Sequence, residues 1–383
     1  MSTLKTVVDN ARSSAHFARI LMSVTEETPA EALTAWLDGA LGSFGHFRDV
    51  WPYVILALRR NHRVDRRRIA QRLSRMWCDS SVHWDPETLR GLARVAYLCF
   101  DLCLARRALQ ALSGLQAPSV TDLLLEANCH AACGDLRQAL NICGAVLDRS
   151  PHNTQAIALH RSWTQRVARA SDPWQAPIIG SDGLRLEPMH VEHAAALAWQ
   201  YRDPAIAART LLPPLEEWDA AEAWIEHRRS YSNVVPYVLL HREHGLLGST
   251  EITVSGTEAF LCIWIGADWQ GRGYGRRMTA MACEHAFRCG IEVMLTAAFD
   301  DNVASLRTLR GYGFGDVAIR AAHPDHDRIF LSLPTRPMGP DEIVRRLIGF
   351  SDRADTGFVF PVPGQTGKAP DLPMQTASNE EDR

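Results

Sequence analysis

The spacing of apolar residues changes once along this 383-residue chain, near residue 172, and that change decides what each part can fold into. Before it, apolar side chains return every three or four positions and β-branched runs are scarce. Leu33, Trp36, Leu37 and Ala40 form one such set, and Leu89, Leu92, Ala93, Ala96 and Tyr97 another. That is the period of a helix with one buried face. Pro29, Pro52, Pro86, Pro118 and Pro151 fall near expected helix starts, where a missing N–H costs little. Residues 1–172 are therefore expected to be all-helical, as stacked hairpins. After the linker at Asp172, Pro173 and Pro177, strand and helix patterns alternate.

In the second part the pattern predicts a strand at 184–187, helices at 191–201 and 215–231, and an antiparallel meander at 235–241, 247–254 and 258–265. Gly245 and Gly256 fall in the turns of that meander. A helix at 273–288, a strand at 292–299, a helix at 302–310 and a strand at 328–333 follow. The order is α+β: a helical array, then a mixed, mainly antiparallel sheet with flanking helices over 178–334. Residues 335–383 are expected to hold one helix at 341–350 and then a disordered tail, with the Phe358 to Pro363 stretch solvated. Leu123, Ala127, the Gly134 and Asp135 turn, Ala139, Leu147 and Pro151 resemble one tetratricopeptide (TPR) unit. A degenerate copy precedes it at Leu92, Ala96, Asp101, Ala105 and Ala108, its alanine 31 residues upstream rather than the ~34 of a strict repeat.

Composition excludes several classes. With 46% hydrophobic residues and a net charge of −3 the chain is neither disordered throughout nor a fibre or charged nucleic-acid coat. No apolar run approaches the ~18 residues of a membrane span. The N-terminal residues lack the basic-then-apolar order of a signal peptide, so a cytoplasmic location is expected. Nine cysteines, an odd number, read as reduced thiols. The balance hides an asymmetry: residues 1–172 hold 21 basic and 16 acidic side chains, and residues 173–383 hold 20 and 28. Eight arginines between Arg59 and Arg75 form the densest charge cluster. Ile69 and Leu73 mark an apolar face among them and no aromatic platform interleaves, which argues for a solvated helical face and against nucleic-acid contact.

The run Gln270, Gly271, Arg272, Gly273, Tyr274, Gly275 follows a strand and opens a helix. Such a turn points successive N–H groups into one concavity at a helix N-terminus, which suits phosphate. It is neither a Rossmann fingerprint nor a P-loop. Further on stand Asn302, Ser305, Gly313 and Phe314. In these two motifs the chain resembles the GNAT superfamily of acyl-CoA-dependent N-acetyltransferases, in its pyrophosphate loop Q/R-x-x-G-x-G/A and its N-x-x-S/A with a following G-F pair. Arg307, Leu309 and Phe287 agree with the branch of ribosomal-protein N-terminal acetyltransferases.

The resemblance implies acetyl-CoA as cosubstrate. It implies that the backbone from Gly271 to Gly275, with Gln270, Arg272 and Tyr274, holds the pyrophosphate. Ile263 and Ile265 should splay from the neighbouring strand to meet the pantetheine, with Asn302 near its thioester end. A lysine acceptor must be deprotonated at a cost of about 4.6 kcal/mol at pH 7, an α-amine at only about 1.4 kcal/mol, so a strong base matters less for α-amines. Glu251 and Glu258 are the candidate bases, weighed against a solvated edge role. Leu309 stands where many relatives carry a tyrosine acid. Ser305 is the candidate proton donor, with Tyr312 a poorer one.

The expected function is N-acetylation of a peptide or protein amine selected by the helical domain. The alternatives are a small-molecule acetyltransferase whose helical domain serves oligomerisation, and a non-catalytic scaffold. Three H-x-x-H pairs, His190 and His193, His241 and His244, His323 and His326, are read as surface or packing residues, so no metal is expected. Cys99 with Cys103, and Cys129 with Cys133, are read as small hydrophobes.

Overall fold

The computed structural model describes residues 28–43, 51–61, 63–80, 82–210, 212–215, 217–354 and 356–360. Eight helices come first among them: α1 (Ala30–Ser43), α2 (Trp51–Arg60), α3 (Arg66–Trp77), α4 (Pro86–Leu98), α5 (Leu102–Leu115), α6 (Val120–Ala132), α7 (Leu136–Arg149) and α8 (Thr154–Arg169). From α3 on, each starts under a short polar side chain that accepts a first-turn N–H: Asp65, Asp85, Asp101, Ser119, Asp135 and Asn153.

Two hairpins, α4–α5 and α6–α7, share one turn. Asp101 N–H donates to Ala96 O at 2.9 Å, and Asp135 N–H donates to His130 O at 2.9 Å. The turn residues Cys99, Phe100 and Asp101 thus correspond to Cys133, Gly134 and Asp135, an offset of 34 residues. The small buried residues follow the same offset, Ala93 with Ala127 and Ala105 with Ala139. The expected offset of 31 took Ala96 for the counterpart of Ala127, one turn too far along α4.

A one-turn 3₁₀ segment (Pro173–Gln175) leads into β1 (Ile178–Ile179), β2 (Leu184–Pro188), α9 (Ala194–Tyr201), α10 (Pro204–Thr210), α11 (Trp218–Ser230), β3 (Val234–His241), β4 (Gly245–Ser255), β5 (Glu258–Ile265), α12 (Tyr274–Arg288), β6 (Val293–Phe299), α13 (Val303–Tyr312), β7 (Gly315–Asp316), β8 (Arg328–Pro334) and α14 (Pro340–Ala354). The strands form one sheet in the order β1-β2-β3-β4-β5-β6-β8-β7. Every pairing is antiparallel except β5 with β6. Alternation sends successive side chains to opposite faces. Tyr237, Leu239, Leu261 and Met294 pack under α12 and α13. On the other face Val238 and Leu240 pack under α9 and α11, and Phe260, Leu295 and Phe330 pack under α14.

The C-terminal expectation is corrected. α14 runs on to Ala354, and Phe358 and Phe360 dock on Phe330 at ring separations of 5.1 and 5.0 Å. Two aromatics two residues apart, Phe358 and Phe360, carry enough apolar surface to hold a strap on the sheet. The rest of the expected tail, from 361, lies outside the described residues.

Among the described residues no buried cluster mixes the helical part with the sheet part. Polar and aromatic contacts join them instead. Arg166 of α8 pairs with Glu187 on β2 and with Glu192. Arg67 lies 3.5 Å from Asp268 and Arg63 3.5 Å from Glu217. Arg66 is buried, donates to Leu58 O and Leu98 O, and lies over Phe100 and Trp218. The expectation of a solvated face therefore fails for this arginine, whose five fixed donors suit two inward carbonyls. Gly245, at φ +71°, opens the β4 turn directly under α5: a Cβ there would lie 2.7 Å from Leu102 Cδ1.

Candidate active site

Strands β5 and β6 pair over three residues only, Glu258 with Val293, Ala259 with Met294 and Phe260 with Leu295. Thr296 Oγ1 then donates to Leu261 O at 2.7 Å, and beyond that point the strands part. The backbone of Cys262–Ile265 faces the gap without pairing to β6, while its other edge stays paired with β4. Ile263 and Ile265 lie on this free edge. The strand register thus leaves a wedge-shaped cleft that opens toward the C-terminal ends of two parallel strands.

The glycine turn lies at the mouth of that cleft. Gly271 and Gly273 have φ of +73° and +79°, left-handed values that favour glycine, and a Cβ on either would meet nothing within 4 Å. Gly273 is the N-cap of α12 and no side chain caps the helix. Its first N–H groups are therefore open to an anion. Gly275 has ordinary φ and lies against Ile265 and Thr308. Gln270 Nε2 donates to Ile265 O at 3.3 Å, tying the turn back to the strand end. Arg272 lies over the Trp269 ring at 5.0 Å, and Tyr274 is partly buried against the α12 core.

Across the cleft, Asn302 caps α13: its Oδ1 accepts the Ser305 N–H at 3.2 Å. Ser305 sits half-buried in the first turn of α13, and its Oγ has no hydrogen-bond partner among the described residues. Leu309 is buried in the sheet core. Tyr312 ends α13, roughly 15 Å along the helix from Asn302, and burial pushes its phenol up to about 12.

The two carboxylates are engaged elsewhere. Glu258 is buried at the closed end of the cleft, held by Arg346 at 2.8 Å and Arg353 at 2.7 Å, both from α14. Glu251 pairs with Cys262 in register, at the level where the strands part, and receives two bonds from Arg228 of α11, at 2.8 and 2.5 Å. Glu251 thus lies beside the open part of the cleft and Glu258 does not. The arginine clamps escaped the sequence reading because their partners lie 23, 88 and 95 residues away in the chain. The Arg228, Arg346 and Arg353 positions carry no local signal of their own.

A cavity of about 560 Å³ adjoins the cleft between the two parts, with Trp199, Trp218 and Trp269 in its walls. Asp268 organises one side, accepting from Trp199 Nε1, Gln200 Nε2 and Arg202.

The histidine pairs differ in detail. His193 is buried, and its Nδ1 accepts the His190 N–H at 3.0 Å. Burial, then Arg166, holds both His190 and His193 well below the ordinary imidazole range. His241, Glu243 and His244 bring one ligand atom each within 4.8 Å. His241 Nδ1 already accepts the Glu243 N–H at 3.2 Å, which in the neutral ring leaves Nε2 protonated and without a free lone pair for a metal. His323 and His326 stack at 5.5 Å. All nine cysteines are unpaired.

Residues 183–315 match the family model described as Acetyltransferase (GNAT) domain, and this part of the chain carries that domain. Among solved structures the chain is similar to spermidine N-acetyltransferase from Vibrio cholerae, with 15% identity over 40% of this chain and 95% of that one, TM-score 0.36. It is similar to RimJ from Mycobacterium smegmatis, with 16% identity over 46% and 93%, TM-score 0.38. A third is the ribosomal-protein-S5-alanine acetyltransferase from Vibrio fischeri, with 14% identity over 42% and 98%, TM-score 0.36. No curated protein sequence matches the chain. Among the described residues no helix is long and apolar enough to cross a membrane.

Proposed function

We propose that the protein is an acetyl-CoA-dependent N-acetyltransferase acting on the amine of a peptide or protein, with the TPR-like helical part helping to select that acceptor. The observation that carries this reading is the parting of β5 and β6 directly onto an uncapped glycine turn. An unpaired strand edge offers backbone groups to an amide-bearing chain, and the open N-terminus of α12 offers N–H groups to its phosphates. The residues present therefore fit CoA: the Gly271–Gly275 backbone and Arg272 for the pyrophosphate, Ile263 and Ile265 for pantetheine, Asn302 for the thioester end.

When bound, acetyl-CoA would supply a thioester carbonyl: the C–N bond would form and the C–S bond break, with the nitrogen losing a proton to a base or water and the thiolate taking one from a donor side chain that water then reprotonates. Backbone N–H groups on the free edge of β5 are in place to stabilise an oxyanion. Ser305 Oγ, at the start of α13 and free of other partners among the described residues, is the donor to the thiolate. Glu251 remains the better-placed base, acting at the cleft only by exchanging one of its Arg228 bonds for the substrate or a water. An α-amine relaxes that demand, because it costs only about 1.4 kcal/mol to deprotonate at pH 7.

The test is thiol release from acetyl-CoA with peptide acceptors bearing a free α-amine. If Ser305 donates the proton, Ser305→Ala lowers kcat about tenfold or more with little change in KM, since the need arises in the transition state. An unchanged kcat removes Ser305 from the mechanism. A second reading, a small-molecule acceptor, draws on the cavity of about 560 Å³ beside the glycine turn. Turnover of small amines with none on peptides decides for it.

A further inference from the structure

A second cleft, of about 860 Å³, lies at the other end of the sheet, where α8 and the linker meet the start of β3 and the end of β4. Arg169, the last residue of α8, and Arg229, near the end of α11, both line it. Among the described residues neither has an ion-pair partner, because the nearby carboxylates Glu187 and Glu192 are both taken by Arg166. Asp172 also lines the cleft, but its carboxylate turns back to accept the Trp174 N–H at 2.9 Å. Ser232 and Asn233 add neutral hydrogen-bonding groups. Two guanidinium groups and one carboxylate thus line the cleft, and Arg229 is held below the ordinary arginine range by burial and then by Arg169 and Arg166, against the pull of Glu226.

A chain of contacts links this cleft to the one where β5 and β6 part. Tyr231 lines it, and the Arg228 guanidinium lies over that ring at 5.2 Å and in turn holds Glu251. Pro236, also in the lining, pairs with Glu251 across β3 and β4 and so shares its face. From Pro236 the lining runs back along the chain to Asn233, three residues or about 10 Å, which about three residues of an extended peptide also cover.

Resting on the acetyltransferase reading above, we infer that Arg169 and Arg229 together select a peptide acceptor with acidic side chains about three to five residues after its reacting amine. The surplus positive charge fits carboxylates, and the span fits a peptide whose first residue sits where β5 and β6 part. One arginine comes from each part of the chain, so both are needed for recognition, which gives the helical part a direct role in choosing the acceptor. Two isolated cations without a stacking array favour an acidic peptide over a nucleic acid.

The test uses the full chain saturated with CoA and two six-residue peptides with free N-termini and a C-terminal fluorophore. The peptides are identical except for Asp-Glu-Asp or Asn-Gln-Asn at positions three to five. Fluorescence anisotropy is expected to show the acidic peptide binding about tenfold tighter. The preference should fall to about twofold or less in Arg169→Ala/Arg229→Ala, and in the exposed single variant Arg169→Glu should the double variant fail to fold. Equal affinities for the two peptides, a preference that survives in the folded variants, or tighter binding of a six-nucleotide single-stranded RNA overturns the inference. Mass spectrometry of the same peptides after incubation with acetyl-CoA tests the activity separately. Binding through the arginines without acetylation contradicts the acetyltransferase reading and leaves the acidic selection standing, while acetylation without charge preference does the reverse.

Discussion

At the scale of single residues, Glu251 and Glu258 looked alike in the sequence and are unlike in the structure. Glu258 is buried against two arginines of α14, of which Arg353 is half-exposed and Arg346 also pairs with Glu292, so Glu258→Gln removes charged hydrogen bonds without leaving either arginine buried and alone. Losing such bonds costs about 2 kcal/mol. The expected outcome for Glu258→Gln is a lower midpoint in urea unfolding with kcat retained in the folded fraction. Glu251→Gln should show the opposite balance, a modest stability change and a larger loss of kcat at neutral pH that partly recovers as pH rises. Equal effects of both variants on kcat would contradict the separation drawn here. The glycines, Asn302 and Ser305 were legible beforehand because their spacing encodes a turn and a cap, which are local. The guanidinium partners were not, because ion pairing across a sheet depends on register.

At the scale of elements, most of the sheet was readable. β5 was expected at 258–265 and lies there, and β3, β4, β6, β8 and α12 differ from expectation by one or two residues at their ends. The two-residue strands β1 and β7 escaped notice because two residues carry no period, and α10 because its seven residues fall short of the helical pattern that reveals the others. The segment before α9 carries a pH response. His193 is neutral in the folded protein, its Nδ1 accepting the His190 N–H, with Arg166 and Arg229 disfavouring a proton. Its folded pKa lies below the unfolded value of about 6.5, so below that pH the unfolded chain binds the extra proton. Stability is then lost as pH falls below about 6.5, by up to about 1.4 kcal/mol per pH unit for one such group. Urea unfolding of wild type and His193→Gln at pH 7 and pH 5 checks this: the wild type should lose more on acidification. Equal losses would show that His193 does not carry the response.

At the scale of the whole molecule, two sets of apolar cores meet through a polar junction in which Arg63, Arg67 and Arg166 supply the cations. The basic excess of residues 1–172 and the acidic excess of the remainder foreshadowed that junction, although the sequence named neither the partners nor the buried Arg66. Phe100 holds the left-handed conformation at φ 59°, where the equivalent turn has Gly134. Its ring stacks on Trp199 of α9 at 6.4 Å, a contact glycine cannot make. Glu187 is buried, and burial pushes its carboxyl up against the pull of Arg166. Cutting the chain near Gln175 therefore leaves Glu187 with only Arg185, at 3.6 Å, and Arg166→Ala does the same within the full chain. Arg166→Ala is expected to lower stability by about 3 kcal/mol or more, and Glu187→Gln added to it should restore part of that loss. Additive losses in the double variant would show that the pair is not coupled.

The central claim is that CoA is held where the parted strands meet the glycine turn, and isothermal titration calorimetry with CoA tests it most directly. The wild-type protein is expected to bind one CoA per chain. Gly273→Asp, which puts a Cβ and a negative charge at a left-handed position beside the phosphates, is expected to keep the circular dichroism of the wild type and lose the binding heat. A wild-type protein that releases no heat with CoA, or a folded Gly273→Asp that binds with unchanged affinity, would contradict the account.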